Sequence, residues 1–111
     1  LTQKKIKEIE LKANSIRQSI IEMLVAAGSG HTAGPLGMTD IFATLYFHTL
    51  KHEPKKPFWN DRDRVVLSNG HIAPVLYATM AHAKYFPTAS AITAVFPPVF
   101  IADLNAENII M

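Results

Sequence analysis

A chain of 111 residues is long enough for one domain and hardly two. Its composition, 49% apolar and 18% charged, excludes a disordered tail and points to extra buried surface such as a partner would supply. The net charge of +2 is spread over basic residues that alternate with acids, which argues against a nucleic-acid partner.

Residues 3–27 read as one long amphipathic helix. Ile6, Ile9, Ala13, Ile16, Ile20, Met23 and Ala27 recur at spacings of three and four and give one apolar stripe. Gly28 is the expected stop. Such a helix is about 38 Å long, comparable with a whole domain of this size. Its stripe is expected either to lie over its own core or to pack partly on another chain. Residues 28–37 form a glycine-rich loop. A second helix is expected from Leu36 to Leu50, apolar all round and therefore buried. Residues 51–64 are a polar connection with Pro54 and Pro57, ending in the alternating run Asp61-Arg62-Asp63-Arg64, read as a solvated turn with local ion pairs. A short strand is expected over 64–68, because the continuous run Val65-Val66-Leu67 suits a strand covered on both faces of a parallel sheet. Asn69-Gly70 is a turn, and a third helix runs from Ile72 to Tyr85 with Pro74 in its first turn. Beyond Tyr85 the pattern is mixed. Residues 99–102 have strand character, but Pro97 and Pro98 forbid a central strand there.

The glycines cluster beside two histidines. Gly28, Gly30, Gly34 and Gly37 surround His31, and Gly70 precedes His71. Glycine lets backbone approach a ligand, and imidazole donates, accepts or carries charge near neutral pH. A strand, tight turn and helix start at Val65–His71 is a place where ligands collect in α/β sheets, and the first helical turn offers unpaired N–H groups to an anion. The alternatives are a His71 that merely caps its turn and a His31 in a plain irregular connection. His48, His52 and His82 read as solvated, and Met23, Met38 and Met80 as core. Asp40 and Glu22 read as isolated acids. The absence of cysteine excludes disulfides and thiolate metal sites. No GxSxG, GxxxxGK, HExxH or CxxC motif is present. The segment TQKKIKEIELK has no apolar core of the secretory kind, and AITAVFPPVFIA (91–102) is too short to span a bilayer. A soluble cytoplasmic protein with no membrane partner is the expectation.

Taken in order, two segments resemble transketolase. SIRQSIIEMLVAAGSGHTAGPLGMTDIFATLYF is similar to that family's first helix, its SGHPG-type loop and its second helix. KPFWNDRDRVVLSNGHIAPVLYATMAHAKYF is similar to its NPxWxxRDRxxLSxGH segment and following helix. The resemblance covers about residues 13–87, with 88–111 divergent. It implies the helix-rich part of an α/β, doubly wound parallel-sheet domain, with three main helices and one or two strands, that binds thiamine diphosphate with Mg2+. It assigns cofactor contact to His71, with Asn69 and Gly70 beside it. It assigns substrate binding and proton transfer near the reacting carbon to His31. The reaction implied moves a two-carbon ketol unit between sugar phosphates, and a homo-oligomer or a complementary C-terminal chain is the implied partner.

Two departures stand out. Thr32 occupies the place of the loop proline. The family's metal motif, GDG followed by Asn, is absent, so no metal ligand is assigned to this chain, and the activating glutamate is missing too. The chain then reads as a fragment, as one piece of a split enzyme or as a cut-down relative. A non-catalytic interaction module and a minimal enzyme in its own right are the alternatives. All these readings require the imidazoles of His31 and His71 to converge.

Overall fold

In the computed structural model, residues 1–94 are described. The first helix, α1 (Gln3–Ala27), has the bounds its apolar stripe predicts. The Thr2 hydroxyl accepts the Lys5 N–H at 3.1 Å, satisfying one of the open donors of the first turn. Gly28 ends the helix with φ 70°, and its N–H reaches the Leu24 and Val25 carbonyls. That left-handed cap is strained for any residue with a Cβ.

The glycine-rich loop is shorter than expected. After Gly28–Thr32 it tightens into a helical turn, α2 (Ala33–Gly37), with Pro35 buried. The chain then breaks at Met38 and resumes as α3 (Thr39–Thr44), followed by a π-helical turn (Leu45–Thr49) closed by Leu50 N–H on the Leu45 carbonyl at 2.8 Å. The expected single helix 36–50 is thus three short pieces. Nor is it buried all round: Phe42, Ala43 and Tyr46 face the core, whereas Ile41 is 52% exposed and Asp40 and His48 face outward.

The helix that is buried on nearly every side is α4 (Ala73–His82), entered through a 3-10 turn (Gly70–Ile72). Its small residues Ala73, Ala78 and Ala81 let neighbours approach closely, and Val75 and Leu76 are fully enclosed. It ends earlier than expected, at His82, and Lys84 just beyond has a φ of 77° that no helix can continue. A last helix, α5 (Thr88–Ala94), lies in the stretch where sequence signals were mixed. The possible strand at 99–102 lies outside the described residues.

Helices α3, α4 and α5 pack around α1. Its Ile9, Ala13, Ile16, Ile20, Met23 and Ala27 supply one side of the core. Burying Ile16, Ile20 or Met23 contributes about 2 kcal/mol each. The stripe therefore lies over the chain's own core, and the 39 Å long axis of the molecule is about the length of α1.

The expected strand at 64–68 is an extended segment in which Val66 makes a single bridge, and no strand is formed among the described residues. Its side chains alternate, Leu67 buried and Val66 61% exposed, so the run is not covered on both faces. Among the described residues no second strand extends this bridge into a ladder. The connection 51–63 is closed by Asp63. Its carboxylate accepts the Lys51 N–H at 2.7 Å, and its own N–H donates to the Lys51 carbonyl at 2.7 Å. Arg62 and Arg64 donate to backbone carbonyls at Trp59, Asn60 and Arg62, so the expected ion pairs are replaced by side chain-to-backbone bonds.

Candidate functional site

Two loops meet at one surface. The first leaves α1 through Gly28 and Gly30, whose φ values of 70° and 123° glycine accepts without strain, and delivers His31 just before α2. The second is the extended segment ending at Asn69, which delivers His71 in the 3-10 turn. The two imidazoles stand perpendicular with ring centroids 4.4 Å apart. Forty residues of separation are thus closed by folding, as the convergence expectation requires. Both side chains are exposed.

Asn69 organises the second loop. Its Oδ1 accepts the His71 backbone N–H at 3.1 Å and lies 3.1 Å from His71 Nδ1. An amide oxygen only accepts, so Nδ1 carries a proton in this arrangement. Nε2 is the nitrogen left free. The Asn69 carbonyl takes the Ile72 N–H at 3.2 Å, the Gly70 carbonyl takes that of Ala73, and Pro74 has none. The His71, Ile72 and Ala73 N–H groups, expected to greet an anion, are therefore bonded inside the turn. That expectation is corrected for these three donors.

Two other histidines depart from the solvated reading. His52 Nε2 donates to the Tyr46 carbonyl at 2.6 Å, and Nδ1 pairs with the Tyr85 hydroxyl at 2.6 Å while the two rings stack. His82 Nε2 meets the Ser19 hydroxyl at 2.8 Å, and burial, with Lys12 and Lys84 adding to it, pushes its pKa below the usual imidazole value. Burial likewise raises Tyr46 far above an ordinary phenol, with Tyr85 adding to it. Asp40, read as isolated, binds Arg17 at 2.6 Å and ties α3 to α1. Met23 and Met80 are buried, and Met38 packs against the core from a half-buried position.

A family model described as transketolase, thiamine diphosphate binding domain, matches residues 9–92. The chain belongs to the transketolase family. A 6-deoxy-6-sulfo-D-fructose transketolase subunit from a Clostridium species is 42% identical over 80 residues, covering 72% of this chain and 29% of that protein. The transketolase of Pongo abelii is 41% identical over 87 residues, 78% of this chain and 14% of its own length. Transketolase 2 of Escherichia coli is 46% identical over 73 residues, 66% of this chain and 11% of its own length. The chain thus matches less than a third of the length of these transketolase relatives.

The donor set fits one part of a thiamine diphosphate site. Two exposed imidazoles, one with a free Nε2, suit an anionic oxygen, and Gly70 leaves backbone accessible beside them. Among the described residues no group of three His, Asp or Glu is placed to hold an ion. No helix among them is long and apolar enough to cross a membrane.

Proposed function

We propose that this chain supplies the His31–His71 portion of a transketolase-type site. In that role it takes part in the transfer of a two-carbon ketol unit between sugar phosphates, working with a complementary segment or chain. The single observation that carries this is the perpendicular pairing of the two rings at 4.4 Å in a chain of this family. The doubly wound α/β sheet, the Mg2+ ion, the cytoplasmic location and the homo-oligomer belong to the same proposal.

In this reading His71 holds a diphosphate oxygen through Nε2. Because Nδ1 is committed to Asn69, a ring that donates through Nε2 carries both protons, and the bond is then charge-assisted. Asn69 fixes the ring's orientation, and Gly70 leaves the backbone beside it without a side chain. His31, against the other face of the pair, orients the substrate and moves a proton at a hydroxyl next to the reacting carbon. The bound cofactor supplies the electron sink for carbon–carbon bond cleavage.

The test uses the chain reconstituted with its complementary part. His71→Ala weakens thiamine diphosphate binding in calorimetry by about tenfold or more, the worth of a charge-assisted hydrogen bond. His31→Ala lowers turnover on the order of 100-fold and leaves cofactor affinity near its original value. Unchanged affinity in the first variant, or unchanged turnover in the second, rejects the corresponding role.

A second reading, an association module without catalysis, draws on the exposed Leu11, Ile21 and Val25 along α1. It predicts a well-formed dimer on sizing that takes up no thiamine diphosphate.

A further inference from the structure

We propose that Gly34 and Ile72 are a positioning pair whose close contact sets the spacing of the two imidazoles. The consequence for cofactor binding rests on the reading above; the geometric claim does not. Gly34 lies three residues beyond His31 in α2, and Ile72 directly follows His71. A Cβ added to Gly34 would sit 2.9 Å from Ile72 Cγ2, well inside the roughly 3.5–4.0 Å of ordinary carbon contact.

Nothing else requires glycine at this position. Gly34 is not among the glycines with positive φ, and inside a helical turn propensity alone favours alanine. The close approach is the remaining physical reason for it. Nor can Ile72 give way cheaply. It is 6% exposed and part of the core, and its Cγ2 is bonded to Cβ, so only rotation about a stiff β-branched χ1 would move it.

A methyl group at position 34 therefore separates α2 from the 3-10 turn. The far end of α2 is held, because Pro35 is fully buried and the buried Thr39 hydroxyl donates to its carbonyl at 2.9 Å. The near end runs through Gly30 and Gly28, where glycine keeps the backbone permissive. The displacement is taken up on the His31 side, and the ring pair opens.

The experiment follows the imidazole protons of His31 and His71 in the full chain by nuclear Overhauser contacts. They are cross-peaked in the original protein. Gly34→Ala loses the cross-peaks while its circular dichroism stays helical. Ile72→Leu, which has no Cγ2 and keeps the volume, retains them. The double variant Gly34→Ala with Ile72→Leu recovers them, a rescue that a general loss of stability would not produce. Cross-peaks that survive in folded Gly34→Ala overturn the proposal. If Gly34→Ala alone does not fold, the double variant decides: a folded chain with the ring contact supports the proposal, and any other result overturns it. In the reconstituted assembly Gly34→Ala also weakens thiamine diphosphate binding by about tenfold, the order expected when a contact is misplaced by a fraction of an ångström. Absence of cofactor binding in the original assembly would reject the functional reading and leave the ring-contact result standing.

Discussion

Ser19 sits inside the packed face of α1, and its hydroxyl bonds to His82 across the core boundary. Burial first, and then Lys12 and Lys84, hold His82 below the ordinary imidazole pKa, with Glu22 opposing them. The unfolded chain therefore binds this proton at a higher pH than the folded one. Stability from this site is complete above about pH 6.5 and is lost as the pH falls through the lower folded value. Urea midpoints decline from about pH 7 to pH 5, and His82→Gln flattens that decline by removing the titrating group. A midpoint profile unchanged by the substitution would contradict the assignment. Position 19 carries a readable signal, a polar residue at the i+3 spacing of the apolar stripe from Ile16. His52 carries none. Its partners Tyr46 and Tyr85 lie outside that segment, 6 and 33 residues away, and nothing in KHEPKKP distinguishes a bridging ring from a solvated one.

Helix α1 is legible from end to end because its information is local. The stripe repeats without interruption, Thr2 offers an oxygen to the first turn, and Gly28 accepts the left-handed cap. The stripe also carries much of the stability. Ile20→Ala, at a fully buried position between neighbouring helices, lowers unfolding free energy by about 3 kcal/mol, whereas Val25→Ala, 76% exposed, changes it by less than about 0.5 kcal/mol. Chemical denaturation of the two variants measures the contrast, and equal losses would mean that the face is misassigned. Helices α3 and α4 show where element-level reading stops. The run Met38–Leu50 holds more large apolar residues, yet it breaks at Met38, loosens into a π-helical turn and leaves Ile41 in solvent. The alanine-rich Ala73–His82 takes the central place. Bulk alone does not decide burial; small residues do when several helices converge on one axis.

At the scale of the molecule, the described residues form a helical body around α1 with an extended segment at 64–69, and a family match runs over residues 9–92. The transketolase relatives are several times longer than the segment they share with it. Two imidazoles are assembled, while a cluster able to hold a divalent ion is absent among the described residues. The Val65–Leu67 run has the composition of a covered strand, but a parallel strand exists only beside other strands. Here Val66 remains largely exposed.

Sequence by itself determined the bounds of the first helix and the family, and it singled out the two histidine loops as candidates. These depend on local spacing and on ordered motifs, which are written within a few residues of one another. Only the tertiary structure decided that His31 and His71 share one surface and that Asn69 takes the His71 and Ile72 N–H groups. It alone decided that Gly34 lies against Ile72 and that α4 rather than α3 is the enclosed helix. These are distances between segments far apart along the chain, and they are set by how side chains of particular volume exclude one another once the core has closed.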